Sequence, residues 1–228
     1  MNKQTGNTGQ DGSGRRAVLW DVDGTMIDSS EYHWLSWRDA LEAEDFPLTR
    51  EQFSAVFGRR NDEILRGYFG EDFPEEEVER VGGSKERMYR ELVRTRGIEL
   101  LPGVRGWLER LKAEGWLQAV ATSAPRENIE AIMPALGLAG YFDAAATAED
   151  VTIGKPDPQI FLVAAARLGV EPAACVVVED APAGLEAARR AGMRCVGVLS
   201  HHPELRADIV VRTLEELPPT AFDDLLNG

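Results

Sequence analysis

The chain of 228 residues is long enough for one sizeable core, or for a core domain that carries a smaller inserted one. Hydrophobic residues make up 43% and charged residues 28%, as in soluble globular proteins, and the net charge of −14 repels polyanions, so nucleic acid is not an expected partner. A small phosphorylated substrate stays compatible with that charge, because a metal ion and a few local cations invert the potential inside a cleft.

In chain order, residues 1–14 are polar and rich in Gly, Asn, Gln and Thr, and read as a disordered leader without the apolar stretch of a signal peptide. No run of about 18 apolar residues offers a membrane span, so no membrane association is expected and cytoplasmic residence is the default expectation; a monomer is expected as well. Ala17 to Asp21 is an apolar run that ends on an acid and meets Gly24, the pattern of a buried strand entering a turn. Residues 29–100 hold no strand pattern but have helical spacing near 31–43, 49–57, 61–69 and 75–95. They read as an all-helical cap inserted into a core of residues 15–28 and 101–228, with hinges near Asp28–Ser30 and Ile98–Gly103. The remainder alternates. A helix is expected over Val104–Ala113, a strand over Leu117–Thr122, and a helix over Pro125–Leu136 that Pro134 ends or kinks. A weaker strand pattern covers Phe142–Thr147, followed by a helix over Asp157–Leu168, a strand over Cys175–Glu179 and a helix over Ala181–Ala191. Strands over Cys195–Leu199 and Asp208–Val211 complete the series, and Leu217–Gly228 carries no functional signal. Strands alternating with helices predict an α/β fold: a Rossmann-like, mostly parallel sheet covered on both faces. Cys175 and Cys195 sit in apolar strand patterns and are expected to be buried thiols, with no disulfide framework.

Four chemical features fall at the C-terminal ends of these strands, the edge where open α/β sheets bind ligands. Asp21-Val22-Asp23-Gly24-Thr25 sets two carboxylates two residues apart, able to serve one phosphorus as nucleophile and as proton donor or acceptor. Thr122, with Ser123, places hydroxyls at a strand end ahead of Pro125. Lys155, held between Gly154 and Pro156, can hold negative charge that builds on a nucleophile and a phosphoryl group. Glu179 and Asp180 end an otherwise apolar strand, where a hard cation such as Mg²⁺ would offset the cost of enclosing them.

This ordered set of Asp-Val-Asp-Gly-Thr, Ala-Thr-Ser, Gly-Lys-Pro-Asp-Pro and Val-Val-Glu-Asp-Ala-Pro-Ala-Gly resembles the haloacid dehalogenase superfamily over residues 15–215. The resemblance implies a mobile helical cap and phosphoryl transfer through an aspartyl phosphate. Asp21 would be nucleophile and Mg²⁺ ligand, and Asp23 general acid and base with its backbone carbonyl on the metal. Thr122 and Lys155 would hold the phosphoryl group. Asp180 would ligate Mg²⁺, with Glu179 bound directly or through water. Trp20 stands where phenylalanine is usual and is expected in the core.

Within the superfamily the chain is most similar to the β-phosphoglucomutase-like group. That likeness implies substrate-side roles for His33 and Trp37 at the entry to the cap, for Arg59, Arg60 and Asn61 in a cap recognition loop, for the cap lysine Lys85, and for Ser123 and Arg126. Asn61 stands where the mutases carry an arginine, with Arg59 or Arg60 as alternative cations, and Ala124-Pro125 replaces their serine and lysine. The leading expectation is therefore a phosphatase acting on a small phosphorylated metabolite such as a sugar phosphate, and the second a β-phosphoglucomutase. A non-catalytic binding protein on the same fold is the third, disfavoured by the full set of acids and Lys155.

Overall fold

The computed structural model describes residues 14–228, so the expected leader lies almost wholly outside the described residues. The first strand, β1 (Ala17–Trp20), leads into four helices: α1 (Ser30–Glu42), α2 (Arg50–Val56), α3 (Asn61–Phe69) and α4 (Glu75–Arg96). Then follow α5 (Val104–Ala113), β2 (Leu117–Ala121), α6 (Arg126–Ala135), β3 (Ala144–Ala146), α7 (Gln159–Leu168) and β4 (Cys175–Glu179). The chain closes with α8 (Pro182–Arg190), β5 (Arg194–Val198), β6 (Ile209–Val211) and α9 (Ala221–Asn227).

Among the described residues the sheet has six strands, all parallel, in the order β3-β2-β1-β4-β5-β6. Their alternation decides the two faces. Val18, Trp20, Val176 and Val178 turn toward α5, α6 and α9, whereas Ala17, Leu19, Cys175 and Val177 turn toward α7 and α8. Both faces are covered, which is why these strands read as unbroken apolar runs. Trp20 is fully buried, and its Nε1 donates to Gln118 Oε1 at 3.1 Å. Both cysteines are buried and free. Pro134 lies within the last turn of α6, whose helical hydrogen bonds end just beyond it, so it acts as a terminator and not as a kink.

The strand order reverses at β1. The chain leaves β1 toward β2 and leaves β4 toward β5, which opens a crevice at the carboxyl ends of β1 and β4. Over that crevice sit α1 to α4, with their own apolar centre of Trp34, Trp37, Leu41, Phe53, Ile64, Leu65 and Val81. A capping box at Thr49 and Gln52 starts α2. The segments entering and leaving this helical cap run side by side: Ile27 bridges Leu100 in antiparallel fashion, and the Leu101 amide donates to Met26 O at 2.9 Å. None of the helices among the described residues is long and apolar enough to cross a membrane.

The C-terminal segment, silent in sequence, forms α9 and places Phe222 among Trp20, Trp107 and Trp116 with ring centroids 4.9–6.5 Å away. Phe222 is 1% exposed. Phe222→Ala should destabilise the fold by about 3–4 kcal/mol, read as a lower urea midpoint with an unchanged slope.

Candidate active site

Asp21 follows β1 directly, and its amide donates to Val178 O, so β4 fixes its backbone at the sheet edge. Glu179 ends β4 and Asp180 follows it. The three carboxylates are buried and each offers an oxygen within 4.8 Å of the others. Burial first, then Glu179, pushes the Asp21 carboxyl well above its ordinary range, and burial likewise raises Asp180 to about 6. Lys155 opposes this strain: its Nζ donates at 2.7 Å to both Asp21 Oδ1 and Glu179 Oε2. Burial alone would lower the Lys155 ammonium, but the Asp21 and Glu179 charges hold it protonated, above its ordinary value. One cation against three clustered acids leaves negative charge in excess. A set made only of oxygen donors with that excess suits a hard divalent cation such as Mg²⁺.

The acids are aimed by their neighbours. Glu179 Oε1 accepts from the amides of Asp180 and Ala181 at 3.1 and 3.0 Å. Asp180 Oδ1 accepts from Thr25 Oγ1 at 3.2 Å, and its Oδ2 lies 3.3 Å from His201 Nδ1. Gly24, at φ +86, lies so close to Asp180 that a side chain there would overlap its carboxylate, and a Cβ at Gly184 would overlap that of Glu179.

Asp23 points the other way. Its Oδ1 accepts from Ser29 Oγ at 2.5 Å and lies 3.0 Å from His33 Nε2 and 3.4 Å from the Tyr89 hydroxyl. Burial would raise this carboxyl, but the charge and hydrogen bond of His33, the Ser29 hydroxyl and the Lys85 charge outweigh it and hold Asp23 at about 2. His33 stacks on Tyr89 at 4.1 Å, and its Nδ1 lies 2.9 Å from Lys85 Nζ. Lys85 continues to Glu86 Oε1 at 2.7 Å, which also accepts from Asn61 at 2.9 Å, while Glu86 Oε2 accepts from Asn128 of α6 at 2.7 Å. A buried polar chain thus runs from Asp23 through the cap and back to the core.

Between cap and sheet edge lies a cavity of about 230 Å³, lined by Asp21, Asp23, His33, Trp37, Arg59, Asn61, Lys85, Thr122, Ser123, Lys155, Glu179 and Asp180, together with Phe57, Glu86 and His202. The Thr122 amide is tied to Ala146 O, while its hydroxyl accepts from the Ala124 amide. Two residues expected on the substrate side, Arg60 and Arg126, are not part of this lining. Arg60 donates to the carbonyls of Ala148 and Val151, and Arg126 pairs with Asp150 at 2.9 Å on the exposed side of α6, because in each case nearer acceptors claim the guanidinium. Glu86, Asn128, Thr25 and the histidines at 201 and 202 were not singled out from sequence. The His-His pair just past β5 carried a readable signal, a titratable pair at the ligand-binding edge of the sheet. The burial of Glu86 in a helix full of charges carried none.

Because Gly184 makes room for Glu179, Gly184→Ala should leave the helix content unchanged and weaken Mg²⁺ binding at least tenfold, as measured by calorimetric titration.

The model of the haloacid dehalogenase-like hydrolases matches residues 15–192. The β-phosphoglucomutase of Bacillus subtilis (strain 168) is 36% identical over 208 residues, covering 89% of this chain and 91% of that one. The validoxylamine A 7'-phosphate phosphatase of Streptomyces hygroscopicus subsp. limoneus is 30% identical over 215 residues, covering 89% and 95%. Among solved structures, a β-phosphoglucomutase from Clostridium difficile superposes with a TM-score of 0.84 at 28% identity, covering 93% of this chain and 97% of that one. The chain belongs to the haloacid dehalogenase-like hydrolases, in their β-phosphoglucomutase-like group with a helical cap, whose phosphatases and phosphomutases act on phosphorylated substrates through an aspartate nucleophile.

Proposed function

We propose that this protein hydrolyses the phosphate monoester of a small polyhydroxylated metabolite, a sugar phosphate, through an aspartyl phosphate on Asp21. The observation that carries the choice of hydrolysis is the chemistry of the cap end of the cavity. Lys85 is spent on His33 and Glu86, and Asn61 donates to the same Glu86. A second phosphate held there would face a buried carboxylate, with only Arg59, exposed at the rim, to oppose it. Hydroxyl groups, by contrast, suit Asn61, Ser54, Ser123 and His202.

The residues divide the reaction as follows. Asp21 attacks the phosphorus, and the P–O bond to the leaving group breaks as Asp23 delivers a proton to the departing oxygen. Asp23 is ionised in the free enzyme, and a phosphate dianion beside it raises its carboxyl, so substrate entry favours the protonated form this step needs. Thr122 and Lys155 hold the phosphoryl oxygens. Asp23, ionised again, then takes a proton from water, whose oxygen attacks the phosphorus and releases inorganic phosphate and Asp21. Asp21, Asp180 and the Asp23 carbonyl, with Glu179 directly or through water, would hold a Mg²⁺ ion, which would neutralise charge on the dianion. Cap movement exchanges substrate and product.

The likeness to the Bacillus subtilis enzyme favours a second reading, a β-phosphoglucomutase that shields the same intermediate from water. Incubation with Mg²⁺, β-glucose 1-phosphate and a trace of glucose 1,6-bisphosphate, followed by phosphorus NMR, separates the two. Inorganic phosphate is the expected main product; glucose 6-phosphate with little inorganic phosphate would establish the mutase. Asp21→Asn should lower turnover by about 10³-fold or more, and retained turnover would overturn the covalent route.

A further inference from the structure

The cap touches the core along a line of polar contacts that the phosphoryl chemistry leaves unused. Arg60 precedes α3, and its Nη1 donates to the carbonyl oxygens of Ala148 and Val151 at 2.8 and 2.7 Å, while its Nε donates to Asp62 at 2.9 Å. Within the first turn of α3, Glu63 Oε1 accepts from the Gly154 amide at 3.2 Å. All three core partners belong to the loop between β3 and α7, the loop that carries Lys155 to Asp21 and Glu179. Gly154 is shaped to this contact: a Cβ there would overlap the Glu63 carboxylate and press against Arg60 Cδ at 2.9 Å. The Arg60 side chain, 17% exposed, is enclosed at the seam.

We propose that Arg60 and Glu63 are positioning residues which gather the 148–154 loop when the cap is shut and thereby set the Lys155 ammonium against Asp21. The two acceptors of Lys155 are fixed by strand ends, whereas Lys155 itself rides on a loop whose one regular piece is a short 3-10 turn at Ala148–Asp150. Its reach therefore depends on what anchors that loop. The two N–H bonds of Nη1 lie in the rigid guanidinium plane, so a single nitrogen ties both carbonyls to Arg60 while Nε is held by Asp62. The Glu63 contact falls on the residue immediately before Lys155. Opening the cap breaks all three hydrogen bonds together, so the loop slackens and Lys155 loses its register with the nucleophile. Enclosure of the substrate and arming of the nucleophile then become one event. This inference rests on phosphoryl transfer at Asp21 and is independent of which ester is cleaved.

The test compares Arg60→Ala, Glu63→Ala and Gly154→Ala with Glu63→Gln, which keeps the accepting oxygen. Amide hydrogen exchange over residues 148–156 is read without substrate, and hydrolysis of p-nitrophenyl phosphate is read at steady state. Exchange should quicken in the first three variants, and kcat should fall about tenfold with KM within about twofold, the signature of an interaction made in the transition state. Glu63→Gln should stay near the parent in both readouts. Unaltered exchange, or a rise in KM with kcat intact, overturns the proposal. Because exchange is recorded without turnover, an error in the assigned substrate alters neither of its outcomes.

Discussion

Three carboxylates are held within 4.8 Å of one another in a buried crevice, and the rest of the architecture answers to that constraint. Each would be expensive to enclose alone, and together they repel. Lys155 bridges two of them, two backbone amides and Thr25 satisfy further lone pairs, and Gly24 and Gly184 leave the space that the acids occupy. Only the reversal of strand order allows this. At β1 and β4 the following connections depart in opposite directions, so adjacent strand ends lie open instead of being covered by a crossing helix. The parallel, fully buried sheet supplies the rigid edge on which these charges are held.

Asp23 belongs to a different system. Two residues from Asp21 in sequence, it is governed by cap side chains: His33 of α1, then Lys85 and Glu86 of α4. Glu86 and Arg90 in turn fasten α4 to Asn128 of the core, at 2.7 and 3.0 Å. The two neighbouring acids are thus tuned in opposite directions, Asp21 upward by the core and Asp23 downward by the cap. A pair of like groups driven apart in this way can divide nucleophilic and proton-transfer work between them.

The core was largely legible in sequence because each of its signals is local. Apolar runs ending on Asp21, Glu179 and Thr122 mark both the strands and the chemistry at their ends. The cap helices were legible from periodicity, with boundaries within a residue or two, as helix ends fray. What sequence could not resolve is which cations are already spent. Arg60 and Arg126 read as substrate ligands, yet backbone carbonyls and Asp150 claim them, and these partners lie far away in the chain. Glu86 escaped notice for the same reason: in a helix crowded with charges, burial depends on the packing of α4 against α1 and α6. The helix α9 was hidden by its brevity and its flanking prolines, since Phe222 counts only once three tryptophans surround it.

The pairing of Ile27 with Leu100 also bears on how the chain finds its fold. Ala17 lies beside Leu117 and Cys175 in the sheet, so the central strand waits for partners made much later during synthesis. Closing so long a loop is entropically costly when the intervening chain is disordered. The cap has its own apolar centre, and once it condenses it brings Met26 and Leu101 together. The loop that β1 must close to meet β2 then shrinks to roughly two dozen residues outside the bridge. An insertion that interrupts the catalytic core in sequence thereby shortens the path along which that core assembles.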